Sequence, residues 1–170
     1  MSARFASTVA IGLLAGLSCL LTGFVIPVPI WVLFIGWASF FAAGGGPHGA
    51  ARSLVMLILG VASATGTMMA ITALGGSTWA VGGCVVLGAG ILVFITRAGL
   101  LSFTPAGFFG FASVVGTLAA TDSTVTAPVN FSHPVLLVLG ALVLGSGFGL
   151  ASEWLGGMLT TKTAVAAAGS

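Results

Sequence analysis

Only four side chains of this sequence carry the acid–base chemistry that an active site usually needs. They are the carboxylates of Asp122 and Glu153 and the imidazoles of His48 and His133, and all four are predicted in loops or at helix ends. Acid–base catalysis, an activated nucleophile or a metal centre needs several such groups close to one another. The sequence therefore predicts no catalytic residue, no metal site and no cofactor, and we expect a protein that is not an enzyme.

Hydroxyl groups inside apolar stretches are the remaining candidates for polar contacts. The phrase FIGWAS at 34–39 and the phrase FFGFAS at 108–113 both end in serine, and both place an aromatic residue two positions before it. Aromatic constrictions with a few hydrogen-bonding groups suit a small neutral solute better than an ion. We therefore predict that a pathway or substrate site is formed by the following residues: Trp37, Ser39, Phe40, Ser63, Thr67, Phe108, Phe111 and Ser113.

The same residues also have a purely structural interpretation, which the sequence leaves open. Trp37 and Phe111 have the character of packing aromatics, and a serine inside a helix can donate to the carbonyl four residues earlier. His48 and His133 flank apolar stretches at opposite ends. They are candidates for gating groups at the two mouths of a pathway, with solvated loop residues as the alternative.

The elements that must position these residues are helices in a lipid bilayer. Hydrophobic residues make up 58% of the 170 residues and charged residues 4%, and the mean hydropathy is +1.27, which is typical of integral membrane proteins. A helix needs about 20 apolar residues to cross a bilayer, whereas barrel strands alternate apolar with polar residues. The sequence predicts an all-α fold of six transmembrane helices, over about Phe5–Phe24, Pro29–Gly44, Leu54–Leu74, Thr78–Ile95, Leu100–Ala120 and Pro134–Leu155.

The four basic residues predict the orientation of these helices. Arg4 precedes the first span, Arg52 lies between the second and third, Arg97 between the fourth and fifth, and Lys162 follows the sixth. With six spans all four lie on one side, which the positive-inside rule makes cytoplasmic together with both termini. A cleaved signal peptide is the alternative at the N-terminus. We expect an uncleaved first span, because no small-x-small cleavage site precedes a polar mature domain.

Three short phrases recur in the same order, at offsets of 70, 74 and 80 residues. They are STVAIG at 7–12 and STWAVG at 77–82, FIGWAS and FFGFAS, and VMLILG at 55–60 and VLLVLG at 135–140. Because three spans are an odd number, a duplicated unit of three inserts its second copy upside down. We therefore predict one membrane domain over 1–170, made of two inverted-topology three-helix repeats over 5–75 and 77–157, with 158–170 as a flexible cytoplasmic tail.

Helix breakers interrupt the middle helix of each predicted repeat. The second span is short, begins after Pro27 and ends at Gly44–Pro47, and the fifth contains Pro105 and Gly107 near its start. Proline and glycine both weaken a helix at such positions. Paired interrupted helices in equivalent places of two halves indicate the binding site of a transporter.

Together these features predict a homo-oligomeric membrane channel or facilitator for a small neutral polar solute of the urea/amide, glycerol or ammonia type. Its pathway is predicted between the two repeats. Two alternatives stay open: a non-transporting scaffold that binds lipid or a partner protein, and a sodium-coupled small-molecule transporter that uses exposed carbonyls. The predicted partners are the lipid bilayer, the solute and further copies of the chain. Nucleic acid is not expected, because the sequence has no basic patch.

Two stretches resemble a known bacterial family. The run WVLFIGWASFFAAGGGPHG at 31–49 and the run LLSFTPAGFFGFAS at 100–113 are similar to the two most recognisable stretches of the YcdZ-like family. These are an aromatic-rich span ending in Gly-Gly and a Leu-Leu-Ser-Phe-x-Pro-x-x-Phe-x-Gly signature. The resemblance covers most of residues 10–157 and implies a multi-pass protein of the bacterial cytoplasmic (inner) membrane. It implies no activity, because the function of that family is unknown.

Overall fold

The computed structural model describes the backbone of residues 2–168 and the side chains of residues 2–160, and over this range it contains helices and no strand. Five of six α-helices are long and apolar enough to cross a bilayer, and the second, with 13 residues, is a shorter apolar helix. The chain is therefore a multi-pass membrane protein. The helices are α1 (Ala3–Phe24), α2 (Ile30–Ala42), α3 (Gly46–Ala73), α4 (Thr78–Ile95), α5 (Thr104–Thr121) and α6 (Pro134–Ala168).

A run of three glycines sets the sharp connection between α2 and α3. Gly44, Gly45 and Gly46 have φ angles of +99°, +68° and +62°, in the left-handed region that glycine enters without strain. Pro47 lies in the first turn of α3, where its fixed φ suits a helix and its missing N–H removes no helical hydrogen bond. The helix therefore begins at Gly46, before the predicted start of the third span at Leu54, because the polar first turns of α3 are helical.

Pro105 starts a helix, whereas the sequence predicted that it interrupts one. The predicted fifth span began at Leu100, but that residue lies in a 3₁₀ turn that precedes α5. The α-helix itself begins at Thr104, with Pro105 in its first turn. Proline is well tolerated there, because the first N–H groups of a helix have no partner within it.

The last helix is longer than the predicted sixth span. It begins at Pro134, as predicted, and continues through Ala168, beyond the predicted end at Leu155. The flexible tail over 158–170 stays a prediction. Residues 169 and 170 lie outside the described residues, as do the side chains from residue 161 onward, including that of Lys162.

Three arginines and one glutamate with described side chains lie at one end of the bundle, whereas Asp122, just after α5, lies at the opposite end. Arg4 lies in the first turn of α1, Arg52 in the second turn of α3 and Arg97 just after α4. Glu153 of α6 accepts a hydrogen bond of 2.9 Å from the backbone N–H of Gly46, so the C-terminal part of α6 lies at the same end. We call this the basic end. The opposite end, which we call the far end, is formed by the linkers 25–29, 74–77 and 122–133.

The middle helix of each predicted repeat packs mainly on a helix of the other repeat. α2 packs most extensively on α6, and α5 packs most extensively on α3. α1 covers α6 and α4 covers α3, while α3 and α6 also touch each other. Exchanging α1 with α4, α2 with α5 and α3 with α6 leaves this set of packed pairs unchanged. We call α2–α6 and α3–α5 the two crossed pairs.

Glycines bring the backbones of α2 and α6 into direct contact. A Cβ added to Gly36 of α2 would overlap the backbone of Leu142 in α6. A Cβ added to Gly145 of α6 would overlap the carbonyl oxygen of Leu33 in α2. Small residues at helix interfaces allow this close approach, and the resulting van der Waals contact is a main source of helix association in lipid.

The second crossed pair uses glycines in the same way. A Cβ on Gly110 of α5 would overlap the carbonyl oxygen of Leu57 in α3. A Cβ on Gly60 of α3 would overlap the carbonyl oxygen of Gly107 in α5. Each pair therefore has one glycine from each helix, and each glycine faces the backbone of the other helix.

These contacts give a register that differs from one of the sequence matches. Gly36 and Gly110 are 74 residues apart, which is the offset of FIGWAS and FFGFAS. The contacts of Gly60 correspond to those of Gly145, at an offset of 85, whereas the phrase VLLVLG aligns Gly60 with Gly140 at an offset of 80. A Cβ on Gly140 would meet only the side chain of Val28, at 3.6 Å. That phrase match does not reflect equivalent positions in the packing.

The centre of the bundle is filled by apolar side chains. Residues from α2, α3, α5 and α6 form one buried cluster, and their side chains are almost completely inaccessible. In contrast, α1 and α4 turn large apolar side chains outward, as helices do that face lipid. The central cluster includes Val32, Leu33, Met56, Leu57, Val61, Val114, Val138 and Leu142.

Candidate functional site

Trp37 links the helices of the first crossed pair by a side-chain hydrogen bond. Its indole Nε1–H donates to Ser152 Oγ of α6 at 3.2 Å, in a buried position. Its ring also packs against Phe148, with 5.5 Å between the ring centroids. Ser152 in turn donates to the carbonyl of Gly149. The indole and the hydroxyl are both satisfied within the protein.

Phe111, the counterpart of Trp37 in FFGFAS, lies in the second crossed pair without such a bond. It is half-buried and carries no donor. A Cβ on Gly88 of α4 would meet both the Phe111 ring, at 3.2 Å, and the hydroxyl of Thr67, so those two side chains are neighbours. Thr67 donates to the carbonyl of Ser63, and Ser63 donates to the carbonyl of Gly88 at 2.9 Å. The hydroxyls of Ser63 and Thr67 therefore both donate to backbone carbonyls.

The two serines of the repeated phrases have different partners. Ser39 is completely buried and shares a hydrogen bond of 2.6 Å with Ser53 of α3. Ser113 is also buried, but it donates to the carbonyl of Phe109 in its own helix, at 2.7 Å. Ser113 therefore makes the contact of the purely structural interpretation, a bond to the carbonyl four residues earlier in its own helix. Ser39 instead connects two helices.

The two remaining aromatic candidates differ greatly in solvent exposure. Phe40 is fully buried and packs edge-on against Phe41, whereas Phe108 is 41% exposed on the outside of the bundle. Trp37 borders a groove of about 300 Å³ between α1 and α2. Ser63 and Thr67 border another of about 290 Å³ between α3 and α4. The eight predicted residues are therefore not gathered around one cavity.

The two histidines lie at opposite ends of the bundle. His48 is exposed in the first turn of α3 at the basic end. His133 immediately precedes α6 at the far end and is 8% exposed, so it is buried where the sequence favoured a solvated residue. Their positions agree with the expectation of one histidine near each end, and their gating role stays a prediction.

Arg52 packs between the end of α2 and Phe103 at the basic end. Its guanidinium donates to the carbonyl of Ala43, just after the end of α2, and lies over the ring of Phe103 at 5.6 Å from the centroid. Its Nε is buried and has no hydrogen-bond partner. The carboxylate of Glu153, at the same end, accepts from the N–H of Gly46. A carboxylate is favourable at that helix N-terminus.

A groove at the far end, with a mostly apolar surface and four hydroxyl-bearing lining residues, was not predicted from the sequence. We call it the far-end groove; it has a volume of about 320 Å³. Thr117 is 2% exposed, and its hydroxyl is buried with no hydrogen-bond partner. Thr117 lies in an apolar run, which gave no signal for a site. The lining residues are Pro27, Pro29, Thr117, Thr121, Ser123, Ser132, Pro134 and Leu137.

The fold defines a class, a compact multi-pass membrane protein of six helices with two crossed pairs. The chain belongs to the family described as protein of unknown function (DUF1097), whose family model matches residues 8–157. This agrees with the expectation of a family without assigned activity, and the YcdZ-like name stays a prediction. No curated protein and no solved structure matches the chain.

Proposed function

We propose that the protein is a membrane facilitator for a small neutral polar solute, with a pathway between two inverted three-helix repeats. The observation that carries this proposal is the exchange of the two halves in the helix packing, in which every packed pair has a counterpart. Two-fold related halves with an odd number of helices are inserted in opposite directions, and such inverted repeats recur in transporters. The FIGWAS and FFGFAS phrases then form equivalent middle helices.

The crossed pairs supply a mechanism of alternating access. Each crossed pair is joined by glycine-mediated backbone contacts, so it moves as a rigid unit. Because α1 packs on α6 and α4 packs on α3, each of these outer helices moves with its pair. Each unit combines helices of both repeats. Rocking of one unit against the other therefore opens a pathway lined by both repeats at one end, while the other end stays closed. The central apolar cluster closes the pathway between the two ends in this conformation.

The placement of charge supports a neutral solute. Arg4, Arg52, Arg97 and Glu153 lie at or near the basic end, and the buried polar groups described between the helices are mainly hydroxyls and one indole. An ion would need charged or multiple carbonyl ligands at mid-membrane depth. The positive-inside rule places the basic end in the cytoplasm, and with it both termini of a bacterial inner-membrane protein.

A homo-oligomeric state is part of the proposal. Gly12 and Gly16 of α1 have no atom within 4 Å of an added Cβ, so their side of the helix has room for a second helix. Glycines spaced by four residues form a typical helix-packing surface in lipid. Mass measurement of the protein in nanodiscs tests this point, and a monomer contradicts it.

Transport measurements on proteoliposomes test the proposed function. We expect faster uptake of at least one of urea, acetamide, glycerol, ammonia or water than in protein-free liposomes. Substitution of Trp37 by Phe or Ser39 by Ala is expected to change that flux more than substitution of Cys19, an exposed residue of α1, by Ala. Absence of flux for all five compounds contradicts the proposal, and uptake that requires a sodium gradient replaces the facilitator with a coupled transporter.

A non-transporting scaffold is the second candidate function. It is favoured by the filled centre and by Ser113, which donates to its own helix. A scaffold of this kind binds lipid or a partner membrane protein on its outer surface and leaves the centre closed at all times. Lack of flux together with a lipid or protein that copurifies in fixed stoichiometry supports the scaffold over the facilitator.

A further inference from the structure

We propose that the far-end groove is a binding site for a planar uncharged amide, such as urea or a short carboxamide. The inference rests on the proposed function in taking this ligand to be the transported solute. Its evidence is the unpartnered hydroxyl of Thr117, a residue of the groove lining, together with Arg52, which lies at the equivalent place of the basic end.

The hydroxyl of Thr117 has unused hydrogen-bonding capacity. A hydroxyl carries one donor and two acceptor positions, and buried polar groups nearly always have a partner. Thr117 is 2% exposed, and its Oγ1 has none among the described residues. The neighbouring hydroxyl of Thr121 donates to the Thr117 carbonyl at 2.8 Å. A ligand that both donates and accepts would complete the hydrogen bonding of Thr117.

Arg52 occupies the position in α3 that Leu137 occupies in α6. Leu57 and Leu142 are counterparts, because a glycine of a middle helix faces the backbone of each. Gly110 of α5 faces Leu57, and Gly36 of α2 faces Leu142. Arg52 precedes Leu57 by five residues, and Leu137 precedes Leu142 by five residues. Leu137 lines the far-end groove, so the position that carries a guanidinium at the basic end carries a shorter apolar side chain at the far end.

The hydrogen-bond acceptor of Arg52 also has a counterpart in the groove. Ala43, whose carbonyl accepts from Arg52, follows Gly36 by seven residues. Thr117 follows Gly110 by seven residues and lines the groove. The carbonyl of Thr117 already accepts from Thr121, so the group that remains for a ligand at this position of the far end is the threonine hydroxyl.

The surface under the guanidinium has a counterpart as well. Phe103, over which Arg52 lies, precedes Gly107 by four residues. Pro29 precedes Leu33, the counterpart of Gly107, by four residues and lines the groove. The saturated ring of Pro29 therefore takes, at the far end, the position that the aromatic ring of Phe103 has at the basic end.

The guanidinium of Arg52 thus shows which shape packs at this place in the fold. It is planar, presents N–H groups in a fixed fork, and places its face on a ring. Urea and carboxamides share the planar shape and the N–H donors, and their carbonyl accepts from the Thr117 hydroxyl. The groove lining contains hydroxyls, prolines and a leucine but no carboxylate, and burying an unpaired cation is costly. An uncharged ligand therefore fits better than guanidinium.

Equilibrium binding to purified protein in nanodiscs tests the site without any transport. The probes are radiolabelled urea and acetamide, with glycerol and guanidinium chloride as competitors. We expect saturable binding of urea that Thr117→Val weakens about tenfold, the effect of one lost hydrogen bond, and that Thr117→Ser largely restores. Leu137→Arg is expected to abolish binding by filling the groove. The matched control is Thr65→Val, since Thr65 already donates to the carbonyl of Val61 and is expected to leave binding unchanged.

The outcomes separate this inference from the proposed function. Thr117→Val is expected to keep the thermal unfolding midpoint, because its hydroxyl has no partner to lose. Absence of saturable urea or acetamide binding, equal binding by native protein and Thr117→Val, or preference for glycerol or guanidinium overturns the site. Binding without flux retains the site and rejects the facilitator, whereas flux that Thr117→Val leaves unchanged retains the facilitator and rejects the site.

Discussion

The two crossed pairs have the same backbone packing and different polar chemistry. Gly36 and Gly145 join α2 to α6 as Gly110 and Gly60 join α5 to α3. Yet the first pair has a side-chain hydrogen bond between its helices, from Trp37, whereas the hydroxyls near Phe111 donate to backbone carbonyls. Glycine positions therefore determine how the helices cross, and the polar side chains around them vary without changing that crossing.

The largest expected effect tests whether the two crossed pairs are equally dependent on their glycines. Gly60→Ala and Gly145→Ala each place a Cβ on a backbone oxygen of the other helix. Because backbone cannot move aside as a flexible side chain does, we expect each change to lower the unfolding free energy by about 3 kcal/mol. Thermal unfolding in detergent measures this.

Gly147→Ala is the matched control on the outer side of α6. An added Cβ there has no atom within 4 Å, and alanine favours a helix over glycine by up to about 1 kcal/mol. We expect this variant to be as stable as the native protein or more stable. A large loss for Gly145→Ala with none for Gly60→Ala would show that the two pairs are not equivalent.

Trp37→Phe makes the first crossed pair resemble the second. It removes the hydrogen bond to Ser152 and leaves a small void where the indole was. We expect a loss of about 1–2 kcal/mol in unfolding free energy, and little further loss when Ser152→Ala is added. Trp154→Phe, at an exposed tryptophan, is the control. Additive losses in the double variant contradict the bond between Trp37 and Ser152.

The two serines are expected to differ by a smaller amount. Ser39→Ala removes the partner of a buried hydroxyl on Ser53, which costs about 1 kcal/mol. Ser113→Ala removes only a bond to its own helix and is expected to cost about 0.5 kcal/mol or less. Chemical unfolding of both variants gives the comparison. Equal losses would mean that Ser39 contributes nothing by joining two helices.

The smallest expected effect concerns the basic end. Glu153→Gln keeps an acceptor for the Gly46 N–H but removes the negative charge at the start of α3. Charges at helix N-termini contribute about 0.3–1 kcal/mol and are screened by salt. We expect a loss in this range at low ionic strength that shrinks at high ionic strength. The control is Asp122→Asn at the far end, and a salt-independent loss contradicts the charge effect.

The sequence predicted the helices well because length and hydropathy are local properties. Six apolar stretches became six helices, and the basic residues with described side chains lie at one end. The start of α5 was misplaced because Pro105 was read as a breaker, although it lies in the first turn of the helix, where proline is favourable. The third span was started at Leu54, after the charge of Arg52, although α3 begins at Gly46. The sequence alone did not show whether a proline interrupts a helix or lies in its first turn.

The site was harder to predict because contacts depend on which face of a helix a residue occupies. VMLILG and VLLVLG match in letters, but the contacts pair Gly60 with Gly145, five residues from Gly140. Five residues turn a helix by about 500°, which leaves a different face toward the neighbour. Thr117 was missed for a related reason, since its unpartnered hydroxyl is visible only once the surrounding helices are placed.

Arg52 gives the proposed facilitator different kinetics on its two sides. Under that proposal, a solute that enters from the basic end competes with the tethered guanidinium of Arg52, at an effective concentration in the millimolar range or above. A solute that enters from the far end meets no such competitor in its groove. Half-saturation should therefore require more solute on the basic side. Because a facilitator cannot shift the equilibrium between compartments, the maximal rate from that side must be higher by the same factor.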